Sequence, residues 1–182
     1  MWGVGREVGD LRECECSPRA VGLARRLEGL ASAGKVRQMW WPEEPIRVTN
    51  IVFRGMCEPM KNWKAVDPTL KLLNDPRALA IGARHITIST VGVLPGIVAL
   101  GKRPEQFRLA ISIHAPSDEL RQQLMPINTK FPLKEVLEAA KVFDRRVTFE
   151  YVMLGGVNDG IEQARELSAL ARECPAFVNL VP

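Results

Sequence analysis

The sequence contains no long apolar run and no leader pattern. None of its hydrophobic stretches approaches the roughly 18 residues that a membrane span requires. The first ten residues, MWGVGREVGD, include Arg6, Glu7 and Asp10 and lack the apolar core of a signal peptide. We therefore expect a cytoplasmic protein that does not associate with a membrane.

The cysteine spacings of common metal sites are also missing. The four cysteines are Cys14, Cys16, Cys57 and Cys174, and a cytoplasmic protein keeps them as thiols. Cys14 and Cys16 are separated by one residue, whereas zinc and iron–sulfur motifs leave two or more. Cys174 lies at the end of a helical pattern and is interpreted as an ordinary half-buried thiol. No metal ligand is predicted.

The sequence also lacks internal repeats, low-complexity tracts and a phosphate-binding glycine loop. The lack of such a loop disfavours an α/β metabolic enzyme that works without an iron–sulfur cluster. The 182 residues are 46% hydrophobic and 25% charged, which is typical of one globular domain. The net charge of +4 permits a polyanionic partner without proving one.

Five β-rich segments alternate with helical patterns from about residue 47. Apolar residues at helical spacing lie between the segments, for example at Leu133–Ala140 and Ile161–Leu170. This alternation predicts right-handed βαβ units around a parallel sheet, with several strands covered on both faces. The predicted strands are 47–53, 85–90, 107–114, 146–153 and 177–181.

The pattern opens with a helix that begins near Ser17, whereas α/β barrels normally open with a strand. The N-terminal segment could hide a poor strand, but we favour a chain that begins one strand late. We therefore predict an α/β fold, a partial TIM-type barrel missing its first strand. Residues 17–182 would form the barrel core and residues 1–16 an irregular N-terminal segment.

Polar side chains follow the predicted strands at the edge where parallel α/β folds bind ligands. Glu58 follows the first strand with Cys57 beside it, Ser89 lies in the second strand, and Ser112 and His114 end the third. A carboxylate, two hydroxyls and an imidazole suit a ligand that carries ammonium, carboxylate and hydroxyl groups.

Each of these residues also has a structural interpretation. Glu58, which precedes Pro59, could cap a turn, and the two serines could bond nearby backbone groups. His114 could equally be a structural hydrogen-bonding residue. Only the convergence of these side chains on one edge favours the binding interpretation.

Five motifs carry a resemblance to a known family. They are NIVFRGMCEPM (50–60), HITISTVGVLPGI (85–97), LAISIHAPSDELRQQLMPIN (109–128), VTFEYVMLGGVND (147–159) and NLVP (179–182). Together, and in this order, they resemble the radical S-adenosylmethionine (SAM) RNA methyltransferases of the RlmN family and its relative Cfr. The resemblance covers roughly residues 17–182.

The resemblance implies a partial barrel, a radical SAM core, that holds SAM and a 4Fe-4S cluster. Glu58 would receive the amino group of SAM. The implied activity is methylation of C2 of an adenine in large-subunit rRNA, with tRNA as a further substrate, by a monomeric enzyme. The implied SAM-binding residues are Cys57, Glu58, Ser89, Ser112, Ile113 and His114.

The sequence departs from the family pattern at several points. It has no Cys-x3-Cys-x2-Cys cluster motif, and the family's general base and methyl-carrying cysteine fall outside it. No catalytic residue is therefore assigned. Cys57 stands where the family has Gly, and Arg54 where it prefers an apolar residue. We expect an internal fragment that is inactive alone; the alternative is a non-catalytic remnant that binds RNA or SAM.

Overall fold

Five parallel strands lie side by side in chain order in one sheet. The computed structural model describes residues 48–54, 58–143 and 147–182. Each strand pairs in parallel with the next along the chain, as in the wall of a (β/α) barrel. The predicted partial barrel is thereby confirmed. The strands are β1 (Ile51–Phe53), β2 (Ile86–Thr90), β3 (Arg108–Ser112), β4 (Val147–Val152) and β5 (Ala176–Val181).

Helices fill every connection between consecutive strands. Short 3-10 turns at Pro59–Asn62, Ala83–His85 and Pro126–Thr129 flank them. No helix in the described part of the chain is both long enough and apolar enough to cross a membrane. The helices are α1 (Trp63–Asn74), α2 (Leu94–Gly101), α3 (Asp118–Leu124), α4 (Leu133–Ala140) and α5 (Ile161–Glu173).

Helix α3 was not predicted from the sequence. It is only seven residues long, too short to repeat an apolar stripe. Its signal is local instead: the hydroxyl of Ser117 accepts a hydrogen bond from the Leu120 amide at 3.3 Å, and Asp118 and Glu119 occupy the first turn. Such a cap and such acidic residues favour a helix start.

The two faces of the sheet differ in chemistry because side chains alternate along a strand. Ile88, Leu109 and Phe149 point toward the helices and are buried in the apolar core. The opposite face, here called the inner face, carries Ser89, Ser112 and Glu150, whose positions follow from the strand register. The fold therefore places polar side chains on the inner face.

Strand β5 is not one of the strands that the described residues cover on both faces. In the described part of the chain it pairs only with β4, and the side chains of Phe177 and Leu180 are 58% and 51% exposed. The predicted start of the helix near Ser17, and the whole of the predicted segment 1–16, lie outside the described residues.

Candidate functional site

The carboxyl ends of the strands bring the predicted residues to one edge of the sheet. We call this edge the rim and define it as the loops that follow β1 to β4, residues 58–62, 91–93, 113–117 and 153–160. Glu58 and His114 lie in the rim, and Ser89 and Ser112 lie on the inner face next to it. Cys57 lies outside the described residues.

Glu58 joins two loops of the rim through its carboxylate. Its Oε1 accepts a hydrogen bond from the Met60 amide at 3.0 Å and so caps the 3-10 turn after β1. Its Oε2 accepts from the Val91 amide at 2.8 Å, in the loop after β2. The turn-capping role is thereby confirmed. A carboxylate has about four acceptor sites, so capacity for a ligand donor remains.

The loop after β2 is held tightly by its own residues. The hydroxyl of Thr90 accepts hydrogen bonds from the amides of Gly92 and Val93 at 3.1 and 3.3 Å. Gly92 has φ +102, a conformation that side chains with a Cβ rarely adopt. An added Cβ would also lie 2.8 Å from Val136 of α4. Position 92 therefore requires glycine for two reasons, its positive φ and the lack of space for a Cβ.

Arg121 of α3 holds the loop after β2 through hydrogen bonds of its guanidinium. The side chain is fully buried, and its Nη2 donates to the Val91 carbonyl at 2.7 Å. Its Nη1 donates to the Asn128 side chain at 2.5 Å and to the Phe131 carbonyl at 3.1 Å. Burial lowers the pKa of Arg121, partly opposed by the charge of Asp118. Sequence reasoning assigned no role to this residue.

His114 occupies a strained turn at the end of β3. Its φ is +52, and the Ala115 amide bonds back to the Ile113 carbonyl at 2.7 Å, which closes a tight three-residue turn. Strained backbone of this kind concentrates at functional sites. The side chain of Ile113 is fully buried and its amide donates to the Glu150 carbonyl, so only its own carbonyl has acceptor capacity left for a ligand.

The imidazole of His114 accepts a hydrogen bond at Nδ1 from the Val152 amide at 3.1 Å. Its neutral form therefore carries the proton on Nε2, where it can be donated to a ligand. Burial, reinforced by the positive charges of Arg121 and Arg54, lowers the pKa of His114. The structural role predicted as an alternative is confirmed, and the ligand role stays a prediction.

Asn158 fixes the loop after β4 against the His114 turn. Its buried amide donates to the carbonyls of His114 and Val152, both at 2.8 Å, and its Oδ1 accepts from the Leu154 amide at 2.6 Å. The Tyr151 hydroxyl donates to the Asn158 carbonyl at 2.7 Å. The turn-forming sequence Asn-Asp-Gly after a strand was the only signal of this role.

A charged pair crosses the inner face of the sheet. Glu150 of β4 is buried, and its Oε2 is in ion-pair contact with Arg54, the residue that follows β1. β1 and β4 are three strand spacings apart, which is about 14 Å in a flat sheet. The long side chains of Arg54 and Glu150 together bridge this span, so the pair links the end of the first strand to the fourth across the inner face.

The described residues do not fit an iron–sulfur cluster. They contain no group of three or more His, Cys, Asp or Glu residues arranged to hold a metal ion. Cys174 is buried after α5, and burial raises the pKa of its thiol, which opposes the thiolate form that a metal needs. Cys14, Cys16 and Cys57 lie outside the described residues.

Comparison with known proteins identifies the superfamily to which this fold and this rim belong. A model of the family described as "Radical SAM superfamily" matches residues 43–168, so the chain belongs to the radical SAM superfamily. A solved radical SAM methyltransferase from Sphaerobacter thermophilus is 37% identical. The match covers 90% of this chain and 47% of that one, with a TM-score of 0.75.

Curated relatives narrow the class to the RlmN family, which confirms the resemblance of the five motifs. A "Probable dual-specificity RNA methyltransferase RlmN" of Gemmatimonas aurantiaca is 64% identical, over 98% of this chain and 50% of the relative. The protein of that name from Moorella thermoacetica is 47% identical over 75% of this chain and 40% of the relative. The chain thus spans about half the length of the curated relatives it matches.

Proposed function

We propose that this chain forms the SAM-binding part of an RlmN-type RNA methyltransferase. The observation that carries the proposal is the convergence of Glu58, Ser89, Ser112 and His114 on one end of a parallel sheet. Ligands of parallel α/β folds bind at that end. The relatives are named as dual-specificity RNA methyltransferases, which supports RNA as the substrate class.

The proposed ligand contacts match the groups of SAM. Glu58 accepts from the ammonium group, since a carboxylate and an ammonium form strong charge-assisted hydrogen bonds. Ser89 and Ser112 offer hydroxyls to the carboxylate or the ribose, and His114 offers its Nε2 proton. Ile113 contributes its backbone carbonyl, and Cys57, which precedes Glu58 in the sequence, is proposed as a further contact. In this proposal the chain's own residues bind and orient SAM.

The finer assignment concerns the whole protein. We propose that it methylates C2 of an adenine in large-subunit rRNA, and tRNA as well, as a cytoplasmic monomer with a 4Fe-4S cluster. When bound, such a cluster supplies the electron that cleaves SAM. Because the described residues do not fit it, we propose that residues 17–182, acting alone, bind SAM without turnover.

Equilibrium dialysis of the purified chain against radiolabelled SAM tests this function. We expect saturable binding that unlabelled S-adenosylhomocysteine displaces. Replacing Ser112 with Ala should weaken binding, whereas replacing the exposed Ser168 of α5 with Ala provides a matched control that should not. A folded chain that shows no saturable binding contradicts the proposal.

A further inference from the structure

Glu150 is a buried carboxylate that neither the motifs nor the rim residues account for. Its strand register places it beside Ser112 of β3 and Asn179 of β5. The three positions form one row across the inner face, directly below the His114 turn. Only 7% of Glu150 is exposed, and a carboxylate buried to this degree needs partners to offset the lost hydration.

The carboxylate of Glu150 has fewer polar partners than its burial calls for. Within the described part of the chain, its buried Oε2 has no hydrogen-bond donor of good geometry, and its one charged contact is the ion pair with Arg54. The side chain of Arg54 is 53% exposed, against 10% for that of Glu150. A guanidinium that is half exposed is a replaceable partner, because ion pairs that reach into solvent contribute little net stability.

We propose that Glu150 is a further SAM-contacting residue, which accepts a hydrogen bond from a donor group of the ligand. This inference rests on the proposed binding of SAM. The donor is either the ammonium group or a ribose hydroxyl, since both are hydrogen-bond donors that a carboxylate accepts. In the free protein Arg54 covers the carboxylate, and the ligand takes its place.

The row of side chains explains why this carboxylate is suited to a ligand. Ser112 lies next to it on the neighbouring strand, so a hydroxyl and a carboxylate face the same space. The backbone carbonyl of Glu150 is already engaged by the amides of Ile113 and His114 at 3.0 and 3.4 Å. The main chain beneath the side chain is therefore held in place by the same turn that presents His114.

Three variants separate a ligand contact from a purely structural ion pair. Glu150→Gln keeps the shape and removes the charge. Arg54→Met breaks the ion pair and leaves Glu150 intact. Glu138→Gln makes the same chemical change on the exposed surface of α4, where Glu138 pairs with Lys141, and serves as the matched control.

Calorimetric titration with SAM and with methylthioadenosine, which lacks the amino acid moiety, gives the readout. We expect Glu150→Gln to weaken SAM binding about 10- to 100-fold, as the loss of a hydrogen bond to a charged group does. Arg54→Met should bind SAM as tightly as the unaltered chain or more tightly, and Glu138→Gln should bind it equally. A loss confined to SAM identifies the ammonium group, and a loss with both ligands identifies the ribose.

Three results would overturn the inference. If Glu150→Gln folds and binds SAM like the unaltered chain, Glu150 makes no ligand contact. If Arg54→Met weakens binding as much as Glu150→Gln does, Glu150 acts only by ordering Arg54. If thermal unfolding shows that Glu150→Gln does not fold, Arg54→Met is compared with the unaltered chain instead, and a loss of SAM binding in Arg54→Met then contradicts the inference. If the unaltered chain binds neither ligand, the proposed function itself fails, and the inference fails with it.

Discussion

The rim and strand β5 are two regions of one sheet that are stabilised in opposite ways. In the rim, buried and half-buried polar side chains hold the loops: Glu58 and Arg121 bind the amide and the carbonyl of Val91, and Asn158 binds the carbonyl of His114. Among the described residues β5 pairs with β4 alone, and side chains such as Leu180 are exposed.

The contrast shows where the fold is preorganised. Rim loops whose backbone groups are tied by buried side chains keep one geometry, which a ligand site needs. An edge strand that depends on main-chain pairing tolerates changes in its side chains. Substitutions should therefore have large effects at the rim and small effects on β5.

The largest expected effect comes from Arg121→Met. The change leaves the carbonyls of Val91 and Phe131 and the side-chain oxygen of Asn128 without their donor. Each buried acceptor left unpaired costs about 1–3 kcal/mol, so we expect a loss of about 4 kcal/mol in the free energy of unfolding. Urea denaturation measures it. The exposed Arg165 of α5, changed to Met, is the control and should cost less than about 0.5 kcal/mol.

The strands of the sheet can be predicted from the sequence, whereas the side-chain hydrogen bonds that hold the rim loops cannot. The predicted strand 85–90 differs from β2 by one residue, because β-branched residues and flanking breakers mark strands locally. Strand ends also predict that Glu58 and His114 lie on one edge. The contacts of Arg121 with Val91 and of Asn158 with His114 join residues 30 and 44 positions apart. They depend on loop geometry, which leaves no periodic signal.

Asn158→Ala should have the next largest effect. It removes three side-chain hydrogen bonds and leaves the Leu154 amide and the carbonyls of Val152 and His114 without this partner. We expect a loss of about 2–3 kcal/mol in the free energy of unfolding and weaker SAM binding, because the His114 turn loses its anchor. Denaturation and equilibrium dialysis measure the two effects. Stability and affinity equal to those of the unaltered chain would show that Asn158 does not position the turn.

A smaller effect is expected from His114, which should make the free energy of unfolding depend on pH. Its pKa in the folded chain lies below the ordinary value of 6.5, so the unfolded chain binds more protons as the pH falls below about 6.5. Stability should therefore decrease as the pH falls through this range and be fully present above it.

The test compares the slope of unfolding free energy against pH with that of His114→Asn, since Asn tolerates a positive φ. The Asn variant should show a flatter slope between the folded pKa and 6.5. Equal slopes for His114→Asn and the unaltered chain would contradict the assignment.

The smallest expected effect is on β5. Leu180→Thr changes an exposed side chain and keeps a residue that favours strands, so it should alter the free energy of unfolding by less than about 0.5 kcal/mol. Urea denaturation measures it against Leu109→Thr in the core, which should be severely destabilised. A loss of about 2 kcal/mol or more at Leu180 would contradict the contrast between the two regions.

Amide chemical shifts recorded during a SAM titration show whether the rim binds SAM. We expect saturable shifts at the amides of Val91, His114 and Glu150, with β5 residues such as Leu180 changing little. A titration in which the folded chain shows no shifts, or shifts confined to β5 and α5, would contradict SAM binding at the rim.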